Sequence, residues 1–195
     1  MKFKLLLIIL ILPFSFIAKS QNIQKELSQS DIKKALKIKG LEIFKFNFDS
    51  VDTDYNLTVH IDEISKDSIL KTEVRHFYSW QKDSKKKNLS IITNKNSHSP
   101  ATSYINFIHP NIESTIRFDF SEKFNREHIW RSIKPGKIVY NKKVPLLFYG
   151  MMWEDSYKGQ KIYRFCWGED ITRKMDNENL NKVEHMLLIS YELKK

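Results

Sequence analysis

The run "YNLTVHIDEI" puts Tyr55, Leu57, Val59 and Ile61 at alternate positions, with Asn56, Thr58, His60 and Asp62 between them. Successive side chains of an extended chain point to opposite faces, so the pattern makes one apolar and one polar face. It excludes a helix, whose apolar positions recur every three or four residues. The same period returns in "EIFKFNF" (Phe44, Phe46, Phe48), "STIRFDF" (Ile116, Phe118, Phe120) and "VEHMLLISYEL" (Val183, Leu187, Ile189, Tyr191). Further strands are expected at 69–80, 88–93, 103–109, 145–154 and 160–168. Short, half-exposed strands separated by turn-rich loops predict a mainly β chain, an antiparallel two-sheet β-sandwich of jelly-roll-like kind, and not a parallel α/β sheet.

Helices are expected only at the periphery. "SDIKKALKIKG" can start near Ser30 or Asp31 and stop at Gly40, with Ile32 and Leu36 at helical spacing. One or two further helical turns are expected, after Ser121 through Phe124 and His128 to Trp130, and in "DITRKMDNENL" after Asp170. Each is too short to stand without tertiary packing.

The first residues read as an address. Lys2 and Lys4 precede an uncharged run from Leu5 to Ile17, and Ala18-Lys19-Ser20 offers small residues for cleavage. This is the pattern of a secretory signal peptide over residues 1–20, and the run is shorter than the roughly 17–25 residues a spanning helix needs. Cleavage near Ser20 would release residues 21–195 as a single β-rich domain, secreted or periplasmic and not membrane-spanning. Loss of Lys2, Lys4 and Lys19 lowers the formal charge from +10 to +7. The remaining basic residues are scattered, which for an exported chain argues against nucleic acid and favours anionic surfaces such as lipid headgroups or acidic glycans. Cys166 is the chain's only cysteine and can form no disulfide within it.

Aromatic residues concentrate in "LLFYGMMWEDSYKGQKIYRFCWGED", residues 146–170. A three-residue loop of Tyr157, Lys158 and Gly159 would set Ser156 opposite Gln160. It would also gather Tyr149, Met151, Trp153, Tyr163, Phe165 and Trp167 on one face, with Asp155 opposite Lys161. Burial of one large apolar side chain is worth about 1.5–3 kcal/mol, so this face is expected to be core. Trp153 and Tyr157, nearest the turn, are the candidate ligand-binding residues.

Catalytic signals are sparse. His60 and Asp62 project from the same face of one strand and are the pair that could serve as acid/base and orienting group in a hydrolase. His76, His98, His109, His128 and His185 stand singly, and five glycines make no phosphate loop. "DSVDTD" (49–54) offers oxygens but lacks the glycine pivot and distal glutamate of a calcium loop, and reads as a hairpin turn. No catalytic residue, metal ligand or cofactor is assigned.

The order of a short N-terminal helix, about eight strands, a helical segment after Asp170 and a final strand resembles the lipocalin arrangement. That resemblance implies a closed barrel around a small apolar ligand, here lined by Phe44, Phe46, Leu57, Val59 and Phe118. The expected function is an exported, non-enzymatic binding or interaction domain for a glycan, a lipid or a protein. A lipocalin-like carrier and an extracytoplasmic hydrolase are the alternatives.

Overall fold

The computed structural model describes residues 28–66, 68–81, 87–95, 102–109, 112–121, 126–165, 171–176 and 178–195. Residues 1–20, expected to form a leader, lie outside them, as do His98, Cys166 and Trp167. The chain divides into two units, Met1–Ala35 and Leu36–Lys195. Helix α1 (Gln29–Ile38) begins in the first. Ser28 caps it: Ser28 Oγ accepts from Asp31 N at 3.1 Å, and Asp31 Oδ2 accepts from Ser28 N at 3.0 Å. This reciprocal pair starts the helix one or two residues earlier than expected. No residue of α1 is buried.

The second unit holds eleven strands among its described residues: β1 (Leu41–Asn47), β2 (Tyr55–Ser65), β3 (Ser68–Trp80), β4 (Asn88–Lys95), β5 (Thr102–His109), β6 (Ile112–Asp119), β7 (His128–Ser132), β8 (Val144–Met151), β9 (Trp153–Tyr157), β10 (Gln160–Arg164) and β11 (His185–Lys194). One sheet has the order β1-β4-β5-β6, a second β3-β2-β11-β8-β7, and β9 and β10 form a separate hairpin. All strand pairings within the sheets are antiparallel. The two large sheets remain open, so the chain is a sandwich and not the closed barrel of the lipocalin alternative.

The alternating rows meet between the sheets. Leu57, Val59 and Ile61 of β2 and Leu187, Ile189, Tyr191 and Leu193 of β11 share one core with Leu89, Ile91, Ile105, Phe107, Ile116 and Phe118 of the facing sheet. Leu57, Val59 and Phe118, expected to line a barrel cavity, are therefore packed core, with Phe44 and Phe46 partly buried against it. In β8 the register shifts between Ile189 and Ser190 of β11, leaving Leu146 as the extra residue, and both Leu146 and Leu147 enter this core.

A second cluster covers the opposite face of the five-stranded sheet, where Phe148, Trp153, Phe165, Ile171, Leu180, Val183 and Met186 pack together. Leu180 comes from a 3-10 turn, Glu178–Lys182, in the region where a helical turn was expected. The other expected helix is replaced at its described end by strand β7, which begins at His128. Pairing of Trp130 with Tyr149 outweighs the weak helical spacing there. Residues 48–54 also differ from expectation. They carry the chain from β1 in one sheet to β2 in the other instead of closing a hairpin, with Phe48 and Val51 buried at the sandwich end.

The β9–β10 hairpin is one residue out of the expected register. Tyr157 pairs with Gln160 and Trp153 with Arg164. The loop is the two residues Lys158 and Gly159, with φ of 51° and 76°, the left-handed pair of a tight hairpin turn whose twist matches the strands. Tyr163 thus stands 49% exposed beside Glu154, on the face opposite Tyr157. The expected single aromatic face is divided. Tyr149 joins the inter-sheet core, while Trp153 and Phe165 join Phe148 outside it, after the strand breaks at Met152.

Gly150 makes that outer packing possible. A Cβ there would lie 2.9 Å from Phe148 Cε2 and 3.0 Å from Phe165 Cε2. Gly150→Ala should cost about 1–3 kcal/mol through overpacking, and Phe165→Ala about 3–5 kcal/mol through the cavity it leaves. Lys161→Ala, which removes an exposed ion pair with Glu154 and an exposed contact with the Tyr163 ring, should stay within about 1 kcal/mol of wild type. Urea melts of the three variants check the order, and a Phe165→Ala protein as stable as Lys161→Ala would refute the packing.

Candidate functional site

The inward row of β2 does not stop at Ile61. Glu63 is its next member and is fully buried. On β11 the row Leu193, Tyr191, Ile189, Leu187 ends in His185, also fully buried, and on β7 His128 precedes inward-facing Trp130. One end of the sandwich core is therefore polar. His185 Nε2 lies 3.1 Å from Glu63 Oε1, and His185 Nδ1 lies 2.9 Å from His128 Nε2. His128 Nδ1 reaches Arg126 O at 3.1 Å. From the end of β6, Ser121 donates to Glu63 through its amide at 2.9 and 3.0 Å and through Oγ at 2.6 Å. The line thereby joins strands of one sheet to the chain leaving the other.

Aromatic rings enclose it. Phe120 packs edge-on against His185 and stacks on His128, and the Tyr149 ring centre is 5.0 Å from that of His128. Burial pushes the Tyr149 phenol above its ordinary range, and Glu127 and Glu42 push the same way.

Hydrogen-bond partners assign the protons. Arg126 O only accepts, so His128 Nδ1 donates to it. Burial holds His185 down to about 3, so this ring is neutral. With the Nδ1–H of His128 given to Arg126 O, one proton bridges the two rings and one bridges His185 and Glu63. Both nitrogens of both rings are engaged inside the fold, and none presents a lone pair to a substrate.

The residues singled out from sequence lie elsewhere. His60 and Asp62 share the outer face of β2 but do not bond to one another. His60 Nε2 is 3.4 Å from Glu192 Oε2, whereas Asp62 accepts from Thr72 Oγ1 at 2.8 Å and pairs with Lys143. Trp153 is buried under Phe165 with the Lys182 amine 5.6 Å above its ring. Tyr157 is 54% exposed, with Lys158 Nζ 5.3 Å from its ring centre. Asp49 of the "DSVDTD" loop accepts from Asn47 Nδ2 at 2.7 Å and from Lys87 N at 3.2 Å. No group of three or more His, Cys, Asp or Glu among the described residues is placed to hold a metal ion. Glu63 and His185 were missed although each lies in phase with an apolar row, which is the signal that could have found them.

Several hollows open at the surface. One, of about 620 Å³, lies between Lys66, Leu180, Glu184 and Met186. One, of about 530 Å³, lies between Glu42, Glu127, His128, Trp130 and Arg131 and has mixed charge. Another, of about 270 Å³, lies between β1, the loop after β7 and the start of β8, over Phe46, Leu146 and Tyr191, with Lys45, Lys134 and Arg173 around it.

Residues 14–195 match the family described as Domain of unknown function (DUF5041), and the chain belongs to that family. No curated protein and no solved structure matches it. No helix among the described residues is long and apolar enough to cross a membrane.

The depressed His185 gives a pH signature. Its folded value lies below the ordinary value of about 6.5, so the unfolded chain binds a proton that the folded chain refuses. Its stabilising contribution is whole above about pH 6.5 and is lost as the pH falls from there toward 3. His185→Gln should be less stable than wild type at pH 7, and its urea midpoint should fall less steeply between pH 6.5 and 4. Parallel pH profiles for the two proteins would contradict a neutral, buried His185.

Proposed function

We propose that the chain is an exported, non-enzymatic binding or interaction domain. The observation that carries this reading is the engagement of its acid/base candidates. His128, His185 and Glu63 bond to one another inside the core, while His60 and Asp62 bond to other partners on the sheet's outer face. Around them stands an open sandwich whose hollows lie at the surface, bounded by apolar, basic and acidic side chains. A rigid two-sheet frame carrying its contact residues on edges and loops suits recognition of a glycan, a lipid or a protein. Export follows from the leader pattern of residues 1–20, and the charge of +7 left after its removal favours anionic partners.

Tyr157 is the exposed aromatic of this reading, at the tip of the β9–β10 hairpin. Trp153 supports that hairpin from beneath, so its replacement should act through folding. Purified protein applied to glycan and lipid arrays is expected to give reproducible binding. Tyr157→Ala should weaken it at unchanged melting temperature if the hairpin tip makes contact. A full set of arrays without binding, together with hydrolytic activity that His60→Ala abolishes, would overturn the reading in favour of an enzyme.

A further inference from the structure

The hollow of about 270 Å³ has a composition that selects a ligand. Lys45, Lys134 and Arg173 bring three cations to it, and no Asp or Glu among the described residues lines it. No described carboxylate pairs with Lys45 or with Arg173. The Arg173 guanidinium instead donates to Gly136 O at 2.9 Å and to Lys137 O, fastening the loop that forms one wall. Its Nε is buried without a partner among the described residues. The floor is apolar, with Phe46, Ile138 and Leu146.

A second observation is independent of charge. Tyr191, 1% exposed, lines the same cleft, and its hydroxyl has no hydrogen-bond partner among the described residues. A buried hydroxyl without a partner is costly to the empty fold, and a bound acceptor would remove that cost. Cations at the rim, an apolar floor and a waiting hydroxyl ask for one molecule with an anionic head and an apolar body. The volume of about 270 Å³ is just under the usual range of ligand pockets, about 300–1,000 Å³, so it admits a short stem and not a whole lipid.

We propose that the cleft bounded by Lys45, Lys134, Arg173 and Tyr191 binds a carboxylate or phosphate group carried on a short apolar stem, either a free acid or the exposed head of an anionic lipid. This rests on the reading of the chain as a binding domain and gives that domain a site and a ligand chemistry.

The purified full chain is titrated calorimetrically with octanoate, with octanamide as the uncharged analogue, and is sedimented with phosphatidylglycerol vesicles. Octanoate should bind about tenfold or more tightly than octanamide, as expected for a charge-assisted contact. Lys45→Glu, an exposed change, should abolish the preference, and added salt should weaken binding. Tyr191→Phe should lower octanoate affinity while leaving the melting temperature equal or higher, a combination that damage to the fold would not give. Binding of octanoate without vesicle sedimentation identifies a free acid, and sedimentation lost in Lys45→Glu identifies a lipid head. Equal affinity for octanoate and octanamide, binding indifferent to both substitutions, or no binding to either probe overturns the assignment. Array binding that survives Lys45→Glu and Tyr191→Phe would overturn this site alone, whereas silence on every array would overturn the binding reading itself.

Discussion

Glu63 sets the terms for one end of this fold. A carboxylate in the core row of β2 has lost its water, and it stays tolerable only because Ser121 and His185 supply donors where water would have been. Those donors come from the chain after β6 and from the start of β11, so satisfying one buried acid ties both sheets together. The requirement then passes outward. His185 needs a partner on its other nitrogen, which fixes His128 at the start of β7, and His128 in turn needs a carbonyl, which fixes Arg126. An apolar residue at position 63 could fill the same space, but it would place no such demand on the edge strand.

Most of the frame was legible because period two is a direct consequence of the pleat. The rows from Tyr55 to Ile61 and from Leu187 to Tyr191 needed no further information to face inward. Glu63 and His185 extend those rows in phase, yet their polarity hides them from any search for apolar alternation. His128 was read as helical because the five residues of β7 carry too little periodicity, and its true partners are supplied by β8 and β11 from far along the chain. The hairpin slipped by one residue for a different reason. A three-residue loop was expected, whereas Lys158 and Gly159 both adopt left-handed conformations and close the turn in two residues. Parity then fails again at Met152, so no rule of strict alternation could have kept Tyr149 and Trp153 apart.

The candidate sites were less legible than the frame. Clefts form where an edge of one sheet, a loop and an edge of the other converge, and this adjacency has no signature in a linear string. Lys45 and Arg173 are distant in sequence and become neighbours only because the two sheets stack. Tyr191 faces that cleft six residues along β11 from His185, about 20 Å at strand spacing. The buried line of Glu63, His185 and His128 and the basic cleft therefore occupy different ends of the same strand. One end is filled by hydrogen-bonded side chains, and the other carries positive charge with no lining carboxylate among the described residues. The division of labour proposed for the chain, scaffold at one end and recognition at the other, rests on that contrast.

The most direct measurement is a double-mutant cycle on the pair that starts the network. Glu63→Gln, His185→Gln and the combined variant would be unfolded in urea at pH 7. If the buried line is a structural tie, the two single losses should overlap, with a coupling energy of about 1 kcal/mol or more. A coupling within about 0.3 kcal/mol of zero would mean that the two residues contribute independently. In that case the line of Glu63, His185 and His128 would not be what holds this end of the sandwich together.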